Sequence, residues 1–184
     1  MTAVTSRFRV TAAGLAWVGW VWRHPVAFQT AGGWGVGSEH KEVGETLYVG
    51  MSYPRQGRDG ETVELRDGDV TIESGAEIAD AELLVCAIDP AAKVGAIGTA
   101  VDDDIDDYCT SLDPIEGIDL DLTYAPMRQQ VLLALTLTGQ GVVTVKDIVL
   151  SYADGWQRGS QHVGGEIWMT TGKLPKEYYG PNSS

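Results

Sequence analysis

The sequence predicts an all-β fold, an antiparallel immunoglobulin-like β-sandwich of about seven to eight strands. Three observations predict it. Short stretches alternate apolar and polar residues with the period of a half-buried strand. Turn residues punctuate those stretches, among them many of the 23 glycines. No long segment carries the apolar stripe of an amphipathic helix. A chain of 184 residues that is 43% hydrophobic holds one domain with attachments and buries a core, which excludes global disorder.

The first attachment is a signal-anchor-like segment over residues 1–29. A polar leader with Arg7 and Arg9 precedes thirteen uncharged residues, Val10 to Trp22, and Arg23-His24-Pro25 stops the run. The pattern is that of a secretory signal or a signal anchor. Trp17, Trp20 and Trp22 near one end suit an interfacial aromatic belt. The reading is membrane attachment through residues 10–28, single-pass with the N-terminus inside, because no convincing cleavage site follows; the alternative is a secreted protein. Residues 30–44 read as a Gly-rich linker, with Trp34 its one bulky apolar residue, either docked on the domain or exposed.

The domain is expected over residues 45–171. Leu47, Val49, Met51 and Tyr53 share one face of a first strand that Pro54 ends. Thr62–Arg66 and Asp69–Glu73 read as a hairpin turning at Asp67-Gly68. Glu82–Ile88 is the most continuous apolar run and is placed centrally. Ile118–Thr123 alternates cleanly, and Gln130–Thr138 is apolar on both faces. Val143 and Val145 are out of phase with Ile148, Leu150 and Tyr152, so a β-bulge is expected near Lys146-Asp147. Val163–Thr170 is the last strand, and residues 172–184 read as a flexible tail.

The two cysteines, Cys86 and Cys109, are expected to form a disulfide. It would close a loop of about 24 residues, stabilise by about 3 kcal/mol and require an oxidising compartment. Between Val94 and Met127 lie nine acids and no Lys or Arg. The formal net charge is −13. Residues 1–41 carry about +3, leaving about −16 for the rest, which argues against nucleic acid as a partner.

Candidate sites are few. Asp102, Asp103, Asp104, Asp106 and Asp107 are weak Ca²⁺ candidates; they lack the spacing and the glycine of an EF-hand loop, and the plainer reading is a solvated acidic face. No cofactor is expected. Nothing selects a carboxylate pair among Glu64, Glu82 and Glu166, and Ser160-Gln161-His162 matches no triad spacing, so no catalytic residue is assigned. Tyr152, Trp156, Gln157 and Arg158 surround a turn and are read as a partner-binding corner, since aromatics and Arg on a loop anchor recognition surfaces. The functional expectation is an exported or membrane-tethered extracytoplasmic β-sandwich with a binding or structural accessory role toward a protein or envelope partner. The alternatives are a Ca²⁺-stabilised adhesion-like module or a small extracytoplasmic hydrolase.

Overall fold

Eleven strands and two sheets are found in the computed structural model, which describes residues 25–29 and 34–174. The basic leader and the apolar run of residues 10–22 lie outside the described residues. Among the described residues, no helix is long and apolar enough to cross a membrane.

The strands are β1 (Gly35–Ser38), β2 (Thr46–Gly50), β3 (Thr62–Ser74), β4 (Ala79–Ile88), β5 (Thr99–Val101) and β6 (Cys109–Pro114). They continue with β7 (Asp119–Asp121), β8 (Gln129–Leu137), β9 (Val142–Asp154), β10 (Gln157–Val163) and β11 (Glu166–Thr170). One sheet runs β1-β11-β9-β3-β7, with β10 also on β9; the other runs β5-β2-β8-β4-β6. Every pairing among these strands is antiparallel except β1 with β11, which is parallel. The chain passes from one sheet to the other at six of the ten connections between these strands: β1 to β2, β2 to β3, β3 to β4, β6 to β7, β7 to β8 and β8 to β9.

The main core lies between the sheets. Leu47 and Val49 of β2, Val85 of β4, and Val131, Leu133 and Leu135 of β8 meet Val63 and Leu65 of β3, Ile148 and Leu150 of β9, and Ile167 of β11. Each large side chain so buried contributes about 1.5–3 kcal/mol. A second cluster covers the outer face of the β8 sheet, where Cys86, Ile88 and Leu132 pack under Ile97, Ala100, Ile105 and Cys109. This explains why β8 is apolar on both faces: one face meets the opposite sheet and the other is roofed by the segment from Asp89 to Tyr108.

The expected bulge is present. On β9, Asp147 pairs with Thr71 and Val145 with Ile72, so Lys146 is the extra residue, and the apolar sets on either side of it reach the same core. The expected hairpin at Asp67-Gly68 is not. β3 runs straight through these residues, with a register shift between Leu65 and Asp67. Gly68 serves close packing there, since a Cβ would come within 2.4 Å of Leu83 Cδ1 and 2.6 Å of Ile115 Cδ1.

The domain also begins earlier and ends later than its sequence boundaries. Ala27 and Phe28, expected at the end of the N-terminal apolar segment, belong to the main core. Residues 35–38, expected in the linker, form edge strand β1. Leu174, expected in the tail, is buried, and its N–H donates to Glu39 Oε1 at 2.7 Å. These pieces were missed because each is too short to show a period.

Candidate functional site

The Cys86–Cys109 disulfide is formed, with Cα atoms 5.4 Å apart. Cys86 lies on β4 and Cys109 opens β6, its hydrogen-bonded neighbour. The residues enclosed by the bridge are those that roof the outer face of the β8 sheet. Inside this roof, Gln130 is fully buried and its amide pairs with both backbone polar groups of one residue, Ile97. Its Oε1 accepts from the Ile97 N–H at 2.7 Å, and its Nε2 donates to the Ile97 carbonyl at 3.2 Å.

The acidic run sits on the outside of that roof. Asp102–Ile105 is one turn of helix, with Ile105 pointing inward and Asp102, Asp103 and Asp104 exposed. Asp106 and Asp107 are exposed as well. Asp102 holds the roof to β2, accepting from the Thr46 N–H at 2.9 Å and from the Tyr48 hydroxyl at 3.5 Å. Burial, and secondarily the Asp102 charge, push the Tyr48 phenol above its ordinary pKa. Among the described residues, no group of three or more His, Cys, Asp or Glu is arranged to hold a metal ion.

The predicted corner separates into a buried part and an exposed part. Tyr152 is only 1% exposed and cannot serve as a contact surface, which corrects its place in the partner-binding group. The strand period carries it inward, in phase with Ile148 and Leu150. Its ring meets Phe28 edge-to-face, with centroids 5.4 Å apart. Its hydroxyl lies 2.7 Å from the Pro25 carbonyl oxygen and 2.5 Å from Gln161 Oε1. Gln161 Oε1 also accepts from the Ala27 N–H at 2.6 Å and the Phe28 N–H at 3.0 Å. Desolvation pushes the Tyr152 pKa up. Ser160-Gln161-His162 is part of strand β10, and Gln161 is a clasp on residues 25–28. Strand β10 escaped sequence analysis because its polar residues lie at the sheet's periphery and lack apolar alternation.

Trp156 and Arg158 remain on the surface. Gly155 (φ 59°) and Trp156 form the two-residue turn between β9 and β10, closed by the Asp154–Gln157 pair. Trp156 is 75% exposed, Arg158 is exposed and Gln157 is half-buried. The three carboxylates considered for hydrolysis are not brought together. Glu64 on β3 pairs with Arg66 at 2.5 Å, Glu82 borders a cleft beside β3 and β4, and Glu166 borders another beside Trp168. His162 faces Asp147, with Nδ1 2.8 Å from Oδ1.

One further cleft was not assembled by sequence analysis. It has a volume of about 530 Å³ and is bordered by both sheets, with Val36 from one and Gly50 and Thr99 from the other. Trp34, Tyr53 and Tyr124 supply aromatic rings, and Gln29 supplies an amide. Trp34 and Tyr124 are each 37% exposed. The β10–β11 break makes room for Trp34: Gly164 has φ +78°, and a Cβ on Gly165 would come within 2.8 Å of the Trp34 ring. The only sequence signal for this cleft was Trp34 itself, a large aromatic stranded in a Gly-rich stretch. Comparisons with protein-family models, curated proteins and solved structures find nothing that matches this chain.

Proposed function

We propose that this chain is an exported or membrane-tethered β-sandwich that acts outside the cytoplasmic membrane by binding. The observation that carries this reading is the Cys86–Cys109 disulfide, because reduced compartments keep such thiols apart. The basic leader and apolar run of the N-terminal sequence agree with it. So does the mounting of the domain: residues 25–28, which directly follow Arg23-His24, are held to the core by Phe28 and by the Tyr152–Gln161 clasp. In this reading the chain leaves the membrane and enters the domain within a few residues.

The binding role is supported by the cleft between Trp34 and Tyr124 and by the exposed turn carrying Trp156 and Arg158, which we assign to an envelope or protein partner. The immunoglobulin-like comparison is retained for the two-layer architecture only, since the frequent passage between sheets differs from the ABED and CFG order of immunoglobulin domains.

Fractionation of native cells with added protease tests the reading. Residues 34–174 are expected to be degraded in intact cells, with non-reducing mass spectrometry recovering Cys86 joined to Cys109. A domain protected from protease in intact cells, with two free thiols, would overturn it.

A further inference from the structure

The geometry points to the Trp34–Tyr53–Tyr124 cleft as a binding site for a neutral saccharide. This deepens the binding role just proposed and rests on that reading for its biological setting only; the chemistry of the cleft stands by itself.

Charge supplies the first argument. The whole chain carries −13, yet none of the described residues lining this cleft is Asp, Glu, Lys, Arg or His. An anionic ligand would find no cation there, and a cationic ligand no carboxylate, so neither would recover its desolvation cost. The ligand is therefore uncharged.

The second argument concerns polar atoms. The Tyr53 hydroxyl, the Tyr124 hydroxyl, the Trp34 indole N–H and the Thr99 hydroxyl have no hydrogen-bond partner among the described residues. Gln29 uses Nε2 toward the Pro54 carbonyl at 3.2 Å, which leaves its Oε1 to accept. A purely apolar ligand such as an acyl chain would strip water from these groups and return nothing, at a cost of about 1–3 kcal/mol for each group left unsatisfied. A ligand that meets them must carry several hydroxyls.

The third argument is the shape of the apolar surface. Three aromatic rings from three separate segments border one cleft. Aromatic faces are electron-rich and attract the polarised C–H face of a pyranose ring, while hydroxyls at the sugar's rim reach the surrounding donors and acceptors. An extended peptide would instead seek a run of backbone partners along a strand edge. The side-chain hydroxyls, indole and amide gathered here do not form such a run.

The test uses the full-length protein with three uncharged probes, maltohexaose, cellohexaose and a β-1,4-galactan oligosaccharide, and tri-galacturonate as an anionic control. Isothermal titration and saturation-transfer NMR are expected to show at least one uncharged probe bound through its ring C–H protons, and no binding of tri-galacturonate. Trp34→Ala and Tyr124→Ala are each expected to weaken that binding by about tenfold or more. Tyr124→Phe keeps the ring and is expected to weaken it less. Val43→Ala changes an exposed residue that does not border the cleft and is expected to leave binding unchanged. Thermal melts and the intact disulfide report whether each variant folds; if Trp34→Ala does not, the Tyr124 pair decides. The proposal is overturned if no uncharged probe binds at millimolar concentration, if tri-galacturonate binds as well, or if binding survives Tyr124→Ala. Because the titration uses purified protein, its failure would leave the compartment assignment standing, and a cytoplasmic location would not alter the titration.

Discussion

Two aromatic groups in this domain have the same ingredients and opposite surroundings. Phe28 and Tyr152 meet edge-to-face in the core, and the Tyr152 hydroxyl, the backbone of residues 25–28 and the Gln161 amide satisfy one another. Trp34, Tyr53 and Tyr124 border an open cleft, and their polar side-chain atoms have no partner among the described residues. A buried phenol left unpaired costs stability, so the first group is closed and structural. The second keeps its polar atoms in water, where they are available to a ligand. The aromatic content of a loop therefore says little about its role until the partner of each polar atom is known.

The comparison is broken most strongly by Phe28→Ala. It leaves a cavity where core residues converge and is expected to cost about 3–5 kcal/mol in a denaturant titration. A loss below about 1 kcal/mol would mean that residues 25–28 are not integral to the domain.

Replacing both cysteines by serine is expected to cost about 3 kcal/mol, and its local effect should be uneven. Gly98 and Thr99 of the open cleft lie inside the disulfide loop, whereas Phe28, Tyr152 and Gln161 lie outside it. Hydrogen exchange should accelerate at Ile97 to Thr99 and remain slow at Tyr152. Equal acceleration at both would show that the roof and the clasp unfold as one unit.

Gln161→Leu removes the acceptor shared by Ala27, Phe28 and Tyr152, and should cost about 1–3 kcal/mol. Alkaline pH probes the same group. The Tyr152 pKa is raised in the folded state, so the folded protein holds its proton when the unfolded chain has begun to lose it. The contribution is fully present below the ordinary tyrosine pKa of about 10 and declines as pH rises through the folded value. Tyr152→Phe should flatten that decline, and an unchanged slope would assign it to Tyr48, which is raised in the same direction. The smallest stability effect is expected for Tyr124→Ala, within about 0.5 kcal/mol, because its side chain is partly exposed and not hydrogen-bonded to the domain. That variant sharpens the contrast, since it should affect saccharide binding while leaving the fold intact.

Legibility followed burial. The strand at Gln130–Thr138 was readable on both faces because apolar side chains mark whatever is covered, whether by the opposite sheet or by the acidic roof. The bulge at Lys146 was readable because a strand whose apolar pattern changes phase must take up one extra residue to keep both halves on the core. The expected hairpin at Asp67-Gly68 failed for an instructive reason. Glycine marks a turn when its φ is positive and a close approach when a neighbour needs the space, and both uses look alike in a sequence.

Sequence alone determined that the chain forms an all-β domain, where most of its inner strands run, and which two cysteines were available to pair. These properties rest on local periodicity and on residue type. Only the tertiary structure decided that Gln161 clasps residues 25–28, that Tyr152 is interior while Trp156 is not, and that Trp34, Tyr53, Thr99 and Tyr124 share one cleft. Those outcomes depend on contacts between segments far apart in the chain. Such contacts leave no period in the sequence, because each segment supplies only one or two residues to the place where they meet.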